Sequence, residues 1–90
     1  MKMLTYKTKF VDQMPAEIEE GILYIAPHYY CALHKCMCGC GEVVCTPLMD
    51  KYGWNWTHDG KNVSLSPSIG NYSFKCKSHY YLKNGKVEFV

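Results

Sequence analysis

The sequence contains no arginine, since all ten of its basic residues are lysines. Proteins that grip phosphates or read guanine edges rely on the planar, bidentate guanidinium group, which an ammonium group does not replace. The ten lysines are offset by eight acidic residues, and both signs are scattered along the chain, with a net charge of +2. A nucleic-acid partner is therefore disfavoured, and we interpret the charges as a solubility feature.

Long apolar runs are also missing, because no run approaches the roughly 20 residues that a membrane-spanning helix needs. The first stretch, MKMLTYKTKFVDQMP, lacks the apolar core and the small-residue cleavage site of a secretory signal. We therefore expect a cytoplasmic, reduced protein with no membrane partner. The Asn-x-Ser/Thr triplets at Asn55, Asn62 and Asn71 are then chance matches and not glycosylation sites.

Cysteine, by contrast, is abundant, with six among 90 residues. A chain of this length builds a marginal core, which makes stabilisation by a disulfide or a metal plausible. Three cysteines alternate in HKCMCGCG, residues 34–41, and they are too close together to bridge one another without serious strain. We therefore predict one metal-stabilised domain, residues 1–90.

Short extended segments separated by turn residues dominate the pattern, which predicts a mostly β fold made of a small antiparallel β domain. The predicted strands include ILYIA, EVVCTPL, NVSLS, YSFKC and HYYL, with turns at Asp59-Gly60 and Asn84-Gly85. At most one short helix is expected, at PAEIEEG, residues 15–21. Gly39 and Gly41 can adopt positive φ, which places the cysteine-rich stretch at a hairpin tip.

The metal ligands are expected from two loops. Thiolates on a glycine turn chelate metals, and CKSH supplies a second pair of donors separated by two residues, a common interval for zinc. The candidate ligands are Cys36, Cys38, Cys40, Cys76 and His79. A closed zinc site takes four of them, and the preferred set is Cys38, Cys40, Cys76 and His79, with Cys36 a close competitor for either thiolate position.

Other polar and thiol residues receive simpler interpretations. We expect Cys31 and Cys45 to be small buried apolar residues in strands, and His34 to lie beside the metal shell or at the surface. Ser68 and Asn71, in SPSIGNYSF, either line a site next to the metal or satisfy the backbone of a loop, and the second is favoured.

Together these motifs resemble a known family. EEGILYI, HKCMCGCGEVVCTPL, VSLSPSIGNYSFKCKSHYYL and the closing GKVEFV are similar to DUF6527, a family of small bacterial and phage proteins of unknown function. The residues that carry the resemblance are His34, Cys36, Cys38, Cys40, Ser68, Ile69, Gly70, Asn71, Cys76, Ser78 and His79. The resemblance implies a protein partner from a bacterial ubiquitin-like conjugation system.

A weaker resemblance links CKSHYYLKNGKV to the second box of Rieske domains. A Rieske centre also needs a Cys-x-His pair on its first loop, whereas this chain has His34 and Cys36 in the reverse order. A Rieske cluster is therefore disfavoured. A Rieske/rubredoxin-like or zinc-ribbon-like β fold, with metal-binding loops at hairpin tips, remains, and zinc is favoured over iron.

Two classes of function stay open. The favoured one is a zinc-stabilised protein-interaction module, with binding through exposed aromatic residues. The alternative is a hydrolase, in which Cys76 is the nucleophile and His79 the base or in which the zinc is catalytic. An iron-binding redox protein is a further alternative. The first is favoured because the Cys and His residues are committed to a metal shell and no separate Ser-His-Asp set is evident.

Overall fold

The computed structural model describes residues 2–49 and 53–90 and arranges them as two four-stranded sheets. The first sheet contains β1 (Lys7–Phe10), β2 (Ile22–Ala26), β3 (Cys31–Lys35) and β4 (Val43–Pro47), and the second contains β5 (Asn55–His58), β6 (Val63–Gly70), β7 (His79–Lys83) and β8 (Lys86–Phe89). Neighbours in each sheet follow chain order. The prediction of a mostly β fold is confirmed.

Nearly every strand pair is antiparallel, as expected for strands joined by short turns, and β1 with β2 is the parallel exception. The turn between β7 and β8 is formed by Asn84 and Gly85, with φ values of 53° and 80°. Two successive positive φ values suit the right-handed twist of a two-residue hairpin. The second sheet is therefore a meander, and in the first sheet the meander runs from β2 to β4.

Side chains from the inner faces of both sheets form one hydrophobic core. In β3 the burial alternates along the strand, so Ala32 and His34 point inward while their neighbours are half-buried. β6 and β7 alternate similarly, and Tyr80 and Leu82 are fully buried. The remaining core members include Leu23, Ile25, Met37, Val63, Leu65 and Ile69. The core therefore ties the two sheets together and fixes which residues reach the outer faces.

Three local predictions are wrong. Residues 15–21 form bends and a turn, and the helical segment among the described residues is the 3₁₀ turn Pro27–Tyr29. One or two turns cannot meet the cost of nucleating a helix, and the backbone N–H of Glu19 donates instead to the hydroxyl of Tyr24 at 3.2 Å. YSFKC, residues 72–76, forms successive turns and not a strand.

The third correction concerns Cys31 and Cys45, which do not lie in the core. Cys31 is half-buried and Cys45 is exposed. Cys45 pairs with Leu33 and Cys31 with Pro47, so both thiols belong to the outward face of the β3–β4 hairpin. The reason is the period of two along a strand, which gives the inward positions to Ala32, His34, Val44 and Thr46.

Within residues 2–49 and 53–90, no helix is long and apolar enough to cross a membrane.

Candidate metal centre and candidate active site

The turn between β3 and β4 carries three of the cysteines. Cys36 closes it by donating its backbone N–H to the carbonyl of Glu42 at 2.8 Å, and Gly39 donates to the carbonyl of Cys36 at 3.0 Å. Gly39 and Gly41 have φ values of 90° and 88°, which residues with a side chain rarely adopt. The glycines therefore allow the tight reversal that gathers the thiols at the predicted hairpin tip.

The fourth thiol comes from the loop between β6 and β7, residues 71–78. Its ends are joined by a hydrogen bond from the Asn71 N–H to the Ser78 carbonyl, at 2.8 Å. Inside the loop Phe74 donates to Asn71 at 3.1 Å, and Lys77 donates to Phe74 at 3.2 Å with a φ of 48°. This chain of turns carries Cys76 to the cysteine-rich hairpin of the other sheet.

The sulfur atoms of Cys36, Cys38, Cys40 and Cys76 all lie within 4.8 Å of one another, so the group can hold a metal ion. Cys36 is 3.4 Å from Cys38 and 3.8 Å from Cys76, and Cys40 is 3.7 Å from Cys76. Four sulfurs at about 2.3 Å from a tetrahedral zinc would be separated by roughly 3.8 Å. The sulfur separations therefore fit one tetrahedral metal.

The thiols of this group differ in acidity. Hydrogen bonding from the side chain and the backbone of Ser78 lowers the pKa of Cys76 to about 6, whereas burial raises the pKa of Cys38 to about 12. The Ser78 hydroxyl lies 3.0 Å from the sulfur of Cys36 and 3.4 Å from that of Cys76. Of these two thiols, Cys76 is therefore the easier to ionise and Cys38 the harder.

A buried polar network supports the group from behind. Asn71 directs its side-chain amide at the sulfur of Cys36, at 3.5 Å, and at the hydroxyl of Tyr80, at 3.3 Å. Tyr80 in turn contacts Nε2 of His34 at 2.7 Å. Burial lowers the pKa of His34 to about 4, so its imidazole is neutral at physiological pH. His34 is therefore an interior residue joined to the thiol group through Tyr80 and Asn71, so of the two expected positions the surface one is wrong.

His79 does not belong to the thiol group. It opens β7, opposite Gly70 of β6, and both of its ring nitrogens have other partners. Nε2 lies 2.6 Å from Oγ of Ser68, and Nδ1 lies 2.9 Å from the hydroxyl of Tyr72. The structure thus brings together Cys36, Cys38, Cys40 and Cys76 of the expected ligands, with Cys36 in the place that the preferred set gave to His79.

Ser68 reaches His79 through the pairing of β6 with β7. Gly70 lies opposite His79, and Ser68, two residues earlier on the same strand, shares the face of Gly70 and His79. The indole N–H of Trp54 donates to the Ser68 carbonyl at 3.3 Å and holds this part of the strand. Ser68 and His79 are both half-buried, so the pair is accessible from solvent.

The Ser68–His79 pair has the geometry that activates a hydroxyl nucleophile. A serine within hydrogen-bond reach of a histidine nitrogen, with the other nitrogen held by a third group, is the arrangement of serine hydrolases. The sequence led us to expect no separate Ser-His-Asp set, and the structure brings together a serine and a histidine with a tyrosine hydroxyl at the second ring nitrogen. The hydroxyl of Ser68 contacts a histidine and does not serve only the loop backbone.

The fold and the side-chain groups together describe a small two-sheet β protein that carries a four-cysteine group and a Ser-His pair. Residues 10–90 match the model of a family described as bacterial ubiquitination-like system serine protease (BubE), and the chain belongs to this family. No curated protein and no solved structure matches it. The expected assignment to DUF6527 is wrong and is corrected by this match, while the link to a bacterial ubiquitin-like system agrees with the family's description.

The thiol geometry predicts which substitutions remove a bound metal. We expect Cys76→Ser to lower metal occupancy well below one ion per chain, because it removes a donor from the group, and we expect Cys45→Ala to leave occupancy unchanged. His79→Ala should also retain the metal, since its ring faces Ser68 and Tyr72. Elemental analysis of the purified variants measures this. Loss of metal in Cys45→Ala with retention in Cys76→Ser would contradict the assignment.

Proposed function

We propose that the protein is a serine hydrolase of a bacterial ubiquitin-like conjugation system, with Ser68 as the nucleophile and His79 as the general base. The observation that carries the proposal is the 2.6 Å contact between Ser68 Oγ and His79 Nε2. The description of the family as a serine protease of such a system supports the same reaction class. The substrate we infer is an acyl bond at the C-terminus of a ubiquitin-like protein.

The proposed reaction has two stages. In the first, Ser68 Oγ attacks the carbonyl carbon while its proton passes to His79 Nε2, and His79 then gives that proton to the departing amine or alcohol. The ubiquitin-like protein is now esterified to Ser68. In the second stage, water attacks the ester while His79 accepts a proton from it, and the returned proton restores the Ser68 hydroxyl. The products are a free carboxylate and the released amine or alcohol.

We propose zinc as the metal, bound by Cys36, Cys38, Cys40 and Cys76 in a single domain spanning residues 1–90. Four thiolates leave no open coordination position, so the zinc would stabilise the fold and take no part in the reaction. Cys76 lies in the loop that joins Ser68's strand to His79's strand. Holding this loop against the β3–β4 turn therefore holds the ends of β6 and β7 in register.

The proposal is tested with a conjugate in which the cognate ubiquitin-like protein is linked through its C-terminus to a reporter amine. The purified protein should release the reporter, as followed by fluorescence and by intact mass of the freed ubiquitin-like protein. Metal-loaded wild type that binds the conjugate without releasing the reporter would overturn the hydrolase. That result would favour an interaction module instead.

The interaction module is the second candidate, and an exposed apolar groove favours it. Tyr30, Leu48, Met49 and Trp56 line this groove, and three of them are well exposed, at 68% for Tyr30, 50% for Met49 and 38% for Trp56. Phe10 extends the surface, with its ring 6.0 Å from that of Trp56. Exposed aromatic residues grouped in this way are typical of the anchors of protein interfaces.

If this groove binds a protein partner, Trp56→Ala should weaken binding to a component of the ubiquitin-like system by about tenfold or more, the loss typical of an aromatic anchor. Val43→Ala is the control, because Val43 is also an exposed apolar residue, at 44%, but does not line the groove. Calorimetric titration with the purified component measures both. Equal affinity for wild type and Trp56→Ala would remove the groove from the interface.

A further inference from the structure

The base of the proposed reaction lies between two tyrosines. Tyr72 contacts His79 Nδ1 through its hydroxyl and meets the imidazole edge-on, at 5.7 Å between ring centroids and 65° between ring planes. Tyr81 stacks on His79 at 6.4 Å and 27°. In serine hydrolases the group at Nδ1 selects the tautomer and the orientation of the histidine. Here that position is occupied by the hydroxyl of Tyr72.

Gly70 makes room for the phenol. A Cβ atom added at residue 70 would lie 2.6 Å from Cε2 and 3.2 Å from Cδ2 of Tyr72, so any other side chain must displace the Tyr72 ring. Gly70 pairs with His79 across the β6–β7 ladder, which places the space for the ring directly beside the base. The φ of Gly70 is not positive, unlike those of Gly39 and Gly41. A glycine at residue 70 therefore leaves space for the Tyr72 ring and is not required by a positive φ.

We propose that Tyr72 is the positioning residue of the active site, a role that rests on the proposed hydrolase. The phenol oxygen accepts a hydrogen bond from Nδ1–H of His79 and so leaves Nε2 unprotonated and directed at Ser68. Gly70 acts through Tyr72 by providing the space in which the ring packs. The hydroxyl takes no part in bond making, because it faces the nitrogen opposite the one that contacts Ser68.

Two single substitutions separate this role from general stability. Tyr72→Phe keeps the ring, which is 63% exposed, and removes only the hydroxyl, so the fold should be retained. Gly70→Ala keeps the hydroxyl and moves the ring. We expect each to slow the reaction of Ser68 with a fluorophosphonate by about 10- to 100-fold, which is less than the roughly 10²- to 10⁴-fold contributed by a general base itself, because Tyr72 acts only through that base. Melting temperature and metal content should stay at the wild-type values.

A double-mutant cycle tests whether Gly70 acts through the phenol. In a Tyr72→Ala background the ring that an alanine at residue 70 would displace is absent, so Gly70→Ala should have no further effect on the rate. Additive losses in the double variant would show that Gly70 has a separate role and would overturn this part of the proposal.

Imidazole NMR of His79 provides a readout that does not depend on turnover. Wild type should show the Nδ1–H tautomer, and Tyr72→Phe should shift the ring toward the Nε2–H tautomer, which free imidazole side chains favour. An unchanged tautomer together with an unchanged labelling rate in Tyr72→Phe overturns the positioning role. A wild type that shows the Nδ1–H tautomer but never reacts with fluorophosphonate supports the contact and defeats the hydrolase, so the two failures are distinguishable.

Discussion

Replacing Ser68 with alanine should abolish release of the ubiquitin-like protein from a conjugate, with a fall in kcat of about 10³-fold or more, while the protein stays folded. The alanine removes the only atom proposed to attack the carbonyl, and loss of the nucleophile in serine hydrolases costs on this order or above. The Ser68 carbonyl, which accepts the Trp54 hydrogen bond, is unaffected by the change. Steady-state release of a reporter measures kcat.

Ser66→Ala is the matched control for this experiment. Ser66 lies two positions earlier on β6, is exposed, and pairs with Asn55 of β5 and not with β7. It should therefore keep wild-type kcat and KM. A wild-type rate in Ser68→Ala, or a loss confined to Ser66→Ala, would contradict the assignment of the nucleophile.

Removing the metal should unfold the protein. With the metal bound by four thiolates, binding free energy and folding free energy are the same quantity, and structural zinc supplies about 10–16 kcal/mol in small peptides. The free energy of unfolding of a domain is about 5–15 kcal/mol in total. Loss of the zinc contribution should therefore leave the apo form unfolded. Thermal unfolding of verified metal-free protein, followed by circular dichroism, should show no cooperative transition, and added zinc should restore it.

The control for metal removal is chelator treatment followed by return of zinc, iron or neither. Restoration by zinc supports the proposed metal, and elemental analysis of the protein as purified identifies the ion that it carries. A metal-free protein that melts at the same temperature as the purified form would show that the four thiols do not contribute to folding. If the purified protein contains iron, the proposal of zinc is wrong and the redox alternative is supported.

Much of the fold was predictable because local signals and burial agree along most strands. The Asn84-Gly85 turn, the Gly39 and Gly41 reversal and the apolar strand ILYIA each act through neighbouring residues, and each was found where expected. The helix predicted at residues 15–21 failed because acidic residues and a proline are compatible with a helix start without being sufficient for one. Such short segments depend on contacts made elsewhere in the chain.

The site was predicted only in part. The alternating thiols and Cys76 identified one loop each, but which donors converge depends on how the two sheets meet. The Ser68–His79 pair was missed because the residues are eleven positions apart and the segment between them, YSFKC, was predicted as a strand and not as the loop that lets β6 pair with β7. The sequence did contain a signal for this pair. Ser68 and Gly70 are alternate residues at the end of one strand, so they share a face, and the strand that begins at His79 follows after the loop.

Covalent labelling tests the central claim most directly, because it reports which atom is nucleophilic. The metal-loaded protein is treated with a fluorophosphonate, digested and mapped by tandem mass spectrometry. We expect a single adduct on the Ser68 hydroxyl, with labelling lost in His79→Ala and retained in Ser66→Ala. An adduct on Ser66 or Cys76, or labelling of Ser68 that proceeds equally well in His79→Ala, would contradict the central claim.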